Sequence, residues 1–288
     1  MVLDAALSNL VANKAWFTFD DEVVALGSGV TDPGLSGTGW DGTALHAETI
    51  VEDRRMDAAS QALVVDDKPI TSASATSLTN PAWAQITGTT GQVGYTFPGA
   101  EPLRAAKTTN TGSWFDVNAK NGTTTRRTDT YFALWVDHGR TPVDATYSYV
   151  ILPGSTLAET KAYAASPDTS VLSNTTAVSA VRENTRNAVG AIFWRDAAAT
   201  VSVGGKAFLT SSARSVVMTE ESSTGIRVAV TDPTQARTGT IRVEVARGAA
   251  AAVSLSAGVR VVRLTPTIVL DVDVTGARGK EFDAAFRY

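Results

Sequence analysis

Cysteine is absent from this 288-residue chain, and histidine occurs only at His46 and His138. Without cysteine the chain has no disulfide framework, no thiolate zinc site and no cysteine nucleophile. Two histidines are too few for an all-histidine metal site, and no acidic pair has the spacing of an EF-hand calcium loop. The sequence therefore predicts no bound metal and no cofactor.

A basic excess and long apolar runs are also lacking. Lysine and arginine number 25 against 29 acidic residues, which gives a net charge of −4. Nucleic-acid binders concentrate positive charge along one face, so we expect no nucleic-acid partner. The chain has no apolar run of about 18 residues, the length that a membrane span needs, so we also expect no membrane partner. Residues 1–20 lack the basic and apolar regions of a signal peptide.

The chain is rich in β-branched residues. Threonine and valine are frequent, whereas lysine and glutamate, which are common on exposed helices, are sparse. β-branched side chains pack well on a pleated sheet and lose rotamer freedom in a helix. The composition therefore predicts an all-β protein.

Alternation of apolar and polar residues predicts many short antiparallel strands. Residues 15–19 and 22–26 form a predicted hairpin that turns at Asp20-Asp21. A glycine-rich loop is expected over residues 27–44, and one or two strands over residues 102–118.

A single helix is predicted, over residues 157–165. Thr156 has the residue type of an N-cap, and Glu159 completes a capping box three positions later. Ser166-Pro167-Asp168 ends the helix and predicts a boundary between two domains. Residues 1–168 are expected to form a large β domain. Residues 169–288, whose short strands recur at close spacing, are expected to form a small antiparallel β-sandwich with an extended tail.

Tyr131 and His138 are a candidate acid–base pair, since both residue types can transfer protons. They lie an odd number of residues apart on one predicted strand, so their side chains point to opposite faces. We therefore favour a structural His138 that hydrogen-bonds its own turn. The sequence predicts no catalytic residue.

The segment from Arg104 to Arg127 is the most basic part of the chain. Five of its residues combine an aromatic ring, an amide and clustered cations: Trp114, Asn118, Lys120, Arg126 and Arg127. Stacking on the ring and forked donors for a carboxylate are what a binder of acidic sugars uses. The alternative is a solvated loop with a core tryptophan, and spacing alone favours it. We predict these five residues as candidate substrate-binding residues.

Four segments, in order along the chain, resemble polysaccharide lyase family 8. Residues 14–30 (KAWFTFDDEVVALGSGV) are similar to its "KSWFxFDDEIVALGxGI" segment, and residues 49–55 to the "TxxENR" strand that follows. Asp137-His138-Gly139 with residues 147–154 resembles its "DHG…YxYVLLPG" hairpin. Residues 171–181 are similar to its "VLANTxxVQAV" passage.

The resemblance implies a fold and an activity. Family members are secreted bacterial lyases that cleave hyaluronan, chondroitin or xanthan by β-elimination. Their helical α/α toroid precedes a central antiparallel super-sandwich and a small C-terminal sandwich. The resemblance implies that residues 1–168 are part of the super-sandwich, with its N-terminal part missing. The family's catalytic Asn, His, Tyr and Arg belong to the toroid, so none is transferred to a position of this chain.

We therefore expect a non-catalytic β portion of a secreted, extracellular polysaccharide lyase. Its expected partners are an acidic polysaccharide and an N-terminal α/α toroid, which it would brace while forming one wall of the cleft. The alternative is a free-standing carbohydrate-binding or adhesion module on the same β scaffold. A third hypothesis is a structural appendage without sugar affinity.

Overall fold

The computed structural model describes residues 1–6, 8–39, 42–88, 91–99 and 101–288. Over these residues the chain forms four antiparallel sheets and two short helices. The all-β prediction is confirmed.

The part of the chain up to residue 165 contains strands β1 to β12 and both helices. In chain order the elements are β1 (Val2–Asp4), β2 (Val11–Thr18), β3 (Val23–Thr31), β4 (Glu48–Arg55), β5 (Ala62–Val65), β6 (Lys68–Pro69), β7 (Thr76–Leu78), β8 (Trp83–Thr87), β9 (Val93–Thr96), β10 (Leu103–Gly112), α1 (Trp114–Val117), β11 (Arg127–Asp137), β12 (Ala145–Pro153) and α2 (Leu157–Ala165).

The rest of the chain contains strands only. They are β13 (Thr169–Asn174), β14 (Val178–Glu183), β15 (Ala188–Phe193), β16 (Ala199–Val203), β17 (Lys206–Ser211), β18 (Ser215–Glu221), β19 (Gly225–Thr231), β20 (Thr240–Val245), β21 (Ala251–Leu255), β22 (Val259–Arg263), β23 (Ile268–Asp273) and β24 (Phe282–Arg287).

Two sheets are built from residues 2–153. The first sheet has the strand order β1-β2-β3-β12-β9-β8-β5-β6, and the second sheet has the order β4-β11-β10-β7. Their facing sides share one buried apolar core, to which Tyr95 and Tyr149 contribute from the first sheet and Phe132 and Leu134 from the second. Burial of these side chains is the main term that holds the two sheets face to face.

Two further sheets are built from residues 169–287. The third sheet has the order β13-β14-β15-β18-β19-β24-β21, and the fourth sheet has the order β16-β17-β20-β23-β22. Their core includes Phe193 and Val217 from the third sheet and Leu209, Ile241 and Leu270 from the fourth.

The first and third sheets pack on each other. Phe17, Leu26 and Leu152 of the first sheet form a buried cluster with Val181 of the third. The approach is close, because a Cβ atom added to Gly190 would lie only 2.8 Å from the Phe17 ring. The four sheets are therefore stacked in the order second, first, third, fourth.

The predicted helix α2 is confirmed, with the bounds and cap that the sequence indicates. The Thr156 hydroxyl accepts a hydrogen bond from the Glu159 N–H at 3.3 Å, and the Glu159 carboxylate accepts one from the Thr156 N–H at 2.8 Å. On the buried side, the Thr160 hydroxyl donates to the Gln85 side chain at 2.5 Å, which fixes α2 on strand β8.

The predicted start of the glycine-rich loop is wrong. Strand β3 continues through Gly27 as far as Thr31. Gly27 is needed inside this strand because a Cβ atom there would lie 1.9 Å from the Tyr147 ring. Of the predicted loop, residues 40 and 41 lie outside the described part of the chain.

The strand expected over residues 102–118 is also corrected. Strand β10 ends at Gly112, and Trp114–Val117 form the short helix α1. The helix starts because the Asp116 carboxylate accepts a hydrogen bond from the Ser113 N–H at 2.7 Å. Aromatic and β-branched residues here indicate a strand by propensity, but the local cap determines the structure.

Candidate functional site

Strands β10 and β11 form a long hairpin that carries the basic loop at its tip. They pair from Leu103 opposite Val136 to Gly112 opposite Arg127. Two of the rungs near the tip are threonine pairs, and in the pair nearer the tip the hydroxyls of Thr111 and Thr128 are 2.7 Å apart. The regular pairing places residues 113–126 at the end of a rigid arm.

The hairpin tip (residues 113–126) is tied together by its own backbone. The Phe115 N–H donates to the Thr123 carbonyl at 3.0 Å, and the Gly122 N–H donates to the Asn118 carbonyl at 2.7 Å. A Cβ atom at Gly122 would lie 2.2 Å from the Trp114 carbonyl oxygen, so only glycine allows this approach. The hydrogen bond from the Ser113 N–H holds the pKa of Asp116 below its usual range, with a smaller contribution from Arg126. The tip is thus closely constrained.

Helix α1 exposes apolar side chains instead of burying them. Trp114 is 66% exposed, Phe115 44% and Val117 81%. Isolated exposed apolar residues are ordinary, but here three of the four residues of one helix form an exposed apolar surface. Such a surface is typical of a binding site.

An open groove of about 490 Å³ runs between α1 and the start of β11. We call it the tip groove; it is lined by Arg55, Trp114, Val117, Arg127, Asp129 and Tyr131, among others. Arg127, Asp129 and Tyr131 line it together because alternate residues of a strand share one face. Arg55 lies opposite Tyr131 in the register of β4 and β11.

The two arginines that line the tip groove differ in their partners. The Arg55 guanidinium contacts Asp57 at 3.0 Å and Asp129 at 3.7 Å. Arg127 has no hydrogen-bond or ion-pair partner for its guanidinium among the described residues. An unpaired guanidinium that lines the same groove as an exposed indole can bind a carboxylate through two N–H donors while a sugar ring stacks on the indole.

The structure separates the five residues that the sequence grouped. Trp114 and Arg127 both line the tip groove. The Arg126 guanidinium donates to the Thr111 carbonyl at 3.1 Å, and the Asn118 side-chain oxygen accepts from the Lys120 N–H at 3.2 Å. The side chains of Arg126 and Asn118 therefore hold the loop, while Lys120 is an exposed cation that does not line the groove. That the five bind sugar stays a prediction.

Sequence reasoning missed Tyr131 and Arg55 as parts of this surface. The signal for Tyr131 was the two-residue period that connects it to Arg127 along β11. No sequence pattern indicated Arg55. Its position beside Tyr131 results from the pairing of β4 with β11, and these two strands are far apart in the chain.

His46 and His138 are both bound by neighbouring side chains. His46 Nδ1 lies 2.8 Å from the Asp137 carboxylate, which also pairs with Arg104 at 3.2 Å. Burial alone would raise the pKa of Asp137, but hydrogen bonds from His46 and from the Gly139 N–H, together with Arg104, hold it below its usual range.

The partner predicted for His138 was wrong. Its Nε2 lies 3.0 Å from the Thr49 hydroxyl of β4, on a neighbouring strand and not in its own turn. The ring packs near Tyr147 at 6.0 Å, and burial lowers the pKa of His138, so the imidazole is neutral at neutral pH. Tyr131 is seven residues away along the strand, about 23 Å at roughly 3.3 Å per residue, so the two do not form an acid–base pair.

None of the helices in the described part of the chain has the length and apolar character needed to cross a membrane.

Comparison with sequence models of protein families shows to which family the chain belongs. The sequence model of the super-sandwich domain of polysaccharide lyase family 8 matches residues 1–164, and that of the C-terminal β-sandwich domain of the same family matches residues 170–240. The chain belongs to polysaccharide lyase family 8. Its resemblance to that family and the predicted order of a super-sandwich followed by a C-terminal sandwich are both confirmed.

Curated relatives of this family 8 chain are named lyases. It is 37% identical over 295 residues to the xanthan lyase of Bacillus sp. strain GL1, covering 100% of this chain and 30% of the relative. It is 34% identical over 281 residues to the hyaluronate lyase of Thermasporomyces composti, covering 96% of this chain and 33% of the relative. The family 8 chain thus spans about a third of the length of these relatives.

Solved structures show the same fold. The Paenibacillus xanthan lyase superimposes with a TM-score of 0.91 at 32% identity, over 100% of this chain and 27% of that one. The Streptomyces coelicolor chondroitin AC lyase in complex with chondroitin sulphate gives a TM-score of 0.81 at 27% identity, over 99% of this chain and 34% of that one.

Proposed function

We propose that this family 8 chain is the β portion of a secreted lyase that degrades an acidic polysaccharide by β-elimination. In this role it forms one wall of the substrate cleft and braces a helical α/α toroid. The names of its relatives, which are xanthan, hyaluronate and chondroitin lyases, support the substrate class. The coverage of about a third of each relative supports a role as part of a larger enzyme.

The observation that carries the proposal is the tip groove. It combines an exposed indole at Trp114 with an unpaired guanidinium at Arg127, on a hairpin tip that its own hydrogen bonds constrain. A uronate residue presents an apolar ring face and a carboxylate, which match these two groups. Preorganisation lowers the entropy lost when the sugar binds.

No residue of the chain is proposed as catalytic. β-Elimination from a uronate needs a base at the C5 proton and groups that neutralise the carboxylate as charge develops. His46 is held by Asp137, and His138 is partly buried and contacts Thr49. The resemblance to the family implies that the Asn, His, Tyr and Arg for this chemistry belong to the toroid.

The proposal is tested by titrating the chain with hyaluronan hexasaccharide at low salt and following backbone amide shifts by NMR. We expect shifts at the hairpin tip and a weak affinity that falls as salt is raised, because exposed charges are screened within about 10 Å at 0.1 M salt. Arg127→Ala and Trp114→Ala should each weaken binding several-fold. Arg140→Ala is the matched control, since Arg140 is an exposed arginine of the same domain outside the tip groove.

Two outcomes overturn this function for the tip groove. One is the absence of any shift at the tip with the wild-type chain. The other is equal binding by the Arg127→Ala and Arg140→Ala variants, which would assign the affinity to net charge instead of to the groove.

A further inference from the structure

A second groove lies on the C-terminal part of the chain, where no sequence feature indicated one. It has a volume of about 560 Å³ and crosses β18, β19 and β24, with Val253 of β21 at its edge. We call it the arginine groove. Its lining includes Arg186, Glu220, Arg227, Val253, Ala285 and Arg287.

The floor of the arginine groove is flat because its residues are small. Gly225 lies opposite Arg287 and Arg227 lies opposite Ala285 in the pairing of β19 with β24. A Cβ atom at Gly225 would lie 2.0 Å from the Phe286 carbonyl oxygen, so no larger residue fits there. Paired residues of an antiparallel ladder point to the same face, which puts both arginines on one side of this floor.

The two arginines have no direct ion-pair partner among the described residues, although Glu220 lies opposite Arg227 in the pairing of β18 with β19. Arg227 and Arg287 are exposed, and neither guanidinium has a hydrogen-bond or ion-pair partner among the described residues. Apart from Arg278, every other arginine of residues 169–288 donates to an acceptor. Diagonal neighbours on a sheet are about 7–8 Å apart, close enough for two cations to repel and for one anion to contact both.

The acidic residues beside the arginine groove already have ion-pair partners. Glu220 pairs with Arg186 at 2.8 Å, and the same guanidinium also contacts Asp20 at 2.6 Å. Glu221 pairs with Arg247 at 2.6 Å and accepts a hydrogen bond from the Tyr288 hydroxyl at 2.7 Å. Burial alone would raise the pKa of Glu221, but the contacts with Arg247 and Tyr288 hold it below its usual range, so it stays an ionised partner of that arginine. The uncompensated charge of the groove is therefore positive.

An apolar contact completes the surface. Val253 is 65% exposed at the wall of the groove, and the floor between the arginines is formed by Gly225 and Ala285. The C–H face of a pyranose ring packs on such a surface while its carboxylate reaches a guanidinium. An inorganic anion or a phosphate group would use the arginines and leave Val253 without a contact.

We propose that the arginine groove is a second carbohydrate-binding site, which holds a carboxylate-bearing oligosaccharide through Arg227 and Arg287. It acts independently of the tip groove and holds the polysaccharide chain at the C-terminal sandwich. The forked donors of two arginines suit adjacent carboxylate oxygens, and the shallow floor admits an extended glycan from either end.

The test is an NMR titration of the whole chain with hyaluronan hexasaccharide at low salt, with maltohexaose as the neutral probe and inorganic phosphate as the simple anion. We expect shifts in the amides of residues 222–227 and 285–287 with hyaluronan hexasaccharide, and much smaller ones with maltohexaose. Arg227→Ala/Arg287→Ala should weaken this binding at least about tenfold, since hydrogen bonds to charged groups are among the stronger ones. Lys206→Ala/Arg278→Ala removes the same charge from exposed positions outside the groove and should leave it unchanged.

The titration also separates this site from the tip groove. Binding here should persist in the Arg127→Ala variant, even if the tip shows no binding at all. The proposal is overturned if residues 222–227 and 285–287 do not shift with hyaluronan hexasaccharide. It is also overturned if the two double variants bind equally, or if phosphate alone binds as tightly as the hexasaccharide.

Discussion

Arg126 and Arg127 are adjacent in the chain but lie in different environments. The Arg126 guanidinium donates to the Thr111 carbonyl and lies 3.7 Å from the Asp116 carboxylate, so it stabilises the loop. Arg127 is the first residue of β11, and its side chain lines the tip groove. A double substitution would therefore mix a structural effect with a binding effect, and single variants are needed to assign either one.

Glu22 is a residue whose ionisation opposes folding. Its side chain is 3% exposed, and among the described residues its Oε1 has no hydrogen-bond partner. Burial raises the pKa of Glu22 to about 8, with further contributions from the hydrogen bond and charge of Asp21 and from the charges of Glu183 and Asp168. Since the folded-state pKa is above the ordinary value of 4.5, the folded state binds the proton more tightly than the unfolded state.

We expect the free energy of unfolding to fall between about pH 5 and about pH 9, because over most of this range Glu22 is ionised in the unfolded chain but still protonated in the folded one. Glu22→Gln should reduce this fall and should be more stable than the wild type at about pH 9, by about 1 kcal/mol or more. Urea denaturation at both pH values measures the effect, with the exposed Glu281→Gln as control. Equal pH dependence in wild type and Glu22→Gln would contradict the assignment.

At the scale of single elements, the tip groove depends on the position of α1. Gly122→Ala puts a Cβ atom 2.2 Å from the Trp114 carbonyl oxygen, so α1 has to move away from the loop that packs on it. We expect several-fold weaker binding of hyaluronan hexasaccharide, with a melting temperature close to that of the wild type because α1 has no buried residue.

Gly139→Ala is the comparison variant, since a Cβ atom there meets nothing within 4 Å, although its positive φ of 79° carries some strain. Calorimetric titration together with a thermal melt distinguishes the outcomes. Unchanged affinity in Gly122→Ala would show that the placement of α1 does not matter for binding.

The elements also show what the sequence could and could not predict. Helix α2 was predictable because Thr156 and Glu159 form a cap whose partners are three residues apart. Helix α1 was missed because Trp114-Phe115-Asp116-Val117 resembles a strand in propensity, although Ser113 and Asp116 have the three-residue spacing of a capping box. A capping signal therefore predicted a helix correctly only where the secondary-structure propensity of the following residues agreed with it.

Local sequence patterns could not predict which residues from distant parts of the chain lie together. The sequence indicated Trp114 and Arg127 as candidates, but it gave equal weight to Asn118 and Arg126, whose side chains hold the loop. The arginine groove was missed completely, because Arg227 and Arg287 are brought together only by the pairing of β19 with β24. Residues distant in the chain become neighbours through pairings that single-sequence periodicity does not specify.

At the scale of the whole molecule, we propose residues 1–168 and 169–288 as the two domains. Each part has a buried core of its own, and a smaller cluster that includes Phe17 and Val181 joins them. Residues 165–167, which end α2, are exposed. Domain boundaries fall in exposed connections that few contacts cross.

Limited proteolysis tests this boundary. We expect early cleavage close to residues 165–169, with each fragment resisting further digestion because it retains its own core. Cleavage confined to residues 30–160, with residues 150–185 always intact, would place the boundary elsewhere.

The central claim is that this chain holds an acidic polysaccharide without cleaving it. One real-time proton NMR experiment on the purified chain with hyaluronan hexasaccharide tests both parts, because it reports protein shifts and sugar products together. We predict shifts at the hairpin tip and no vinyl proton signal of an unsaturated uronate, however long the incubation. A vinyl signal that grows with time, and that is lost in Tyr131→Phe or His46→Ala, would show that the chain itself is catalytic and would contradict the account.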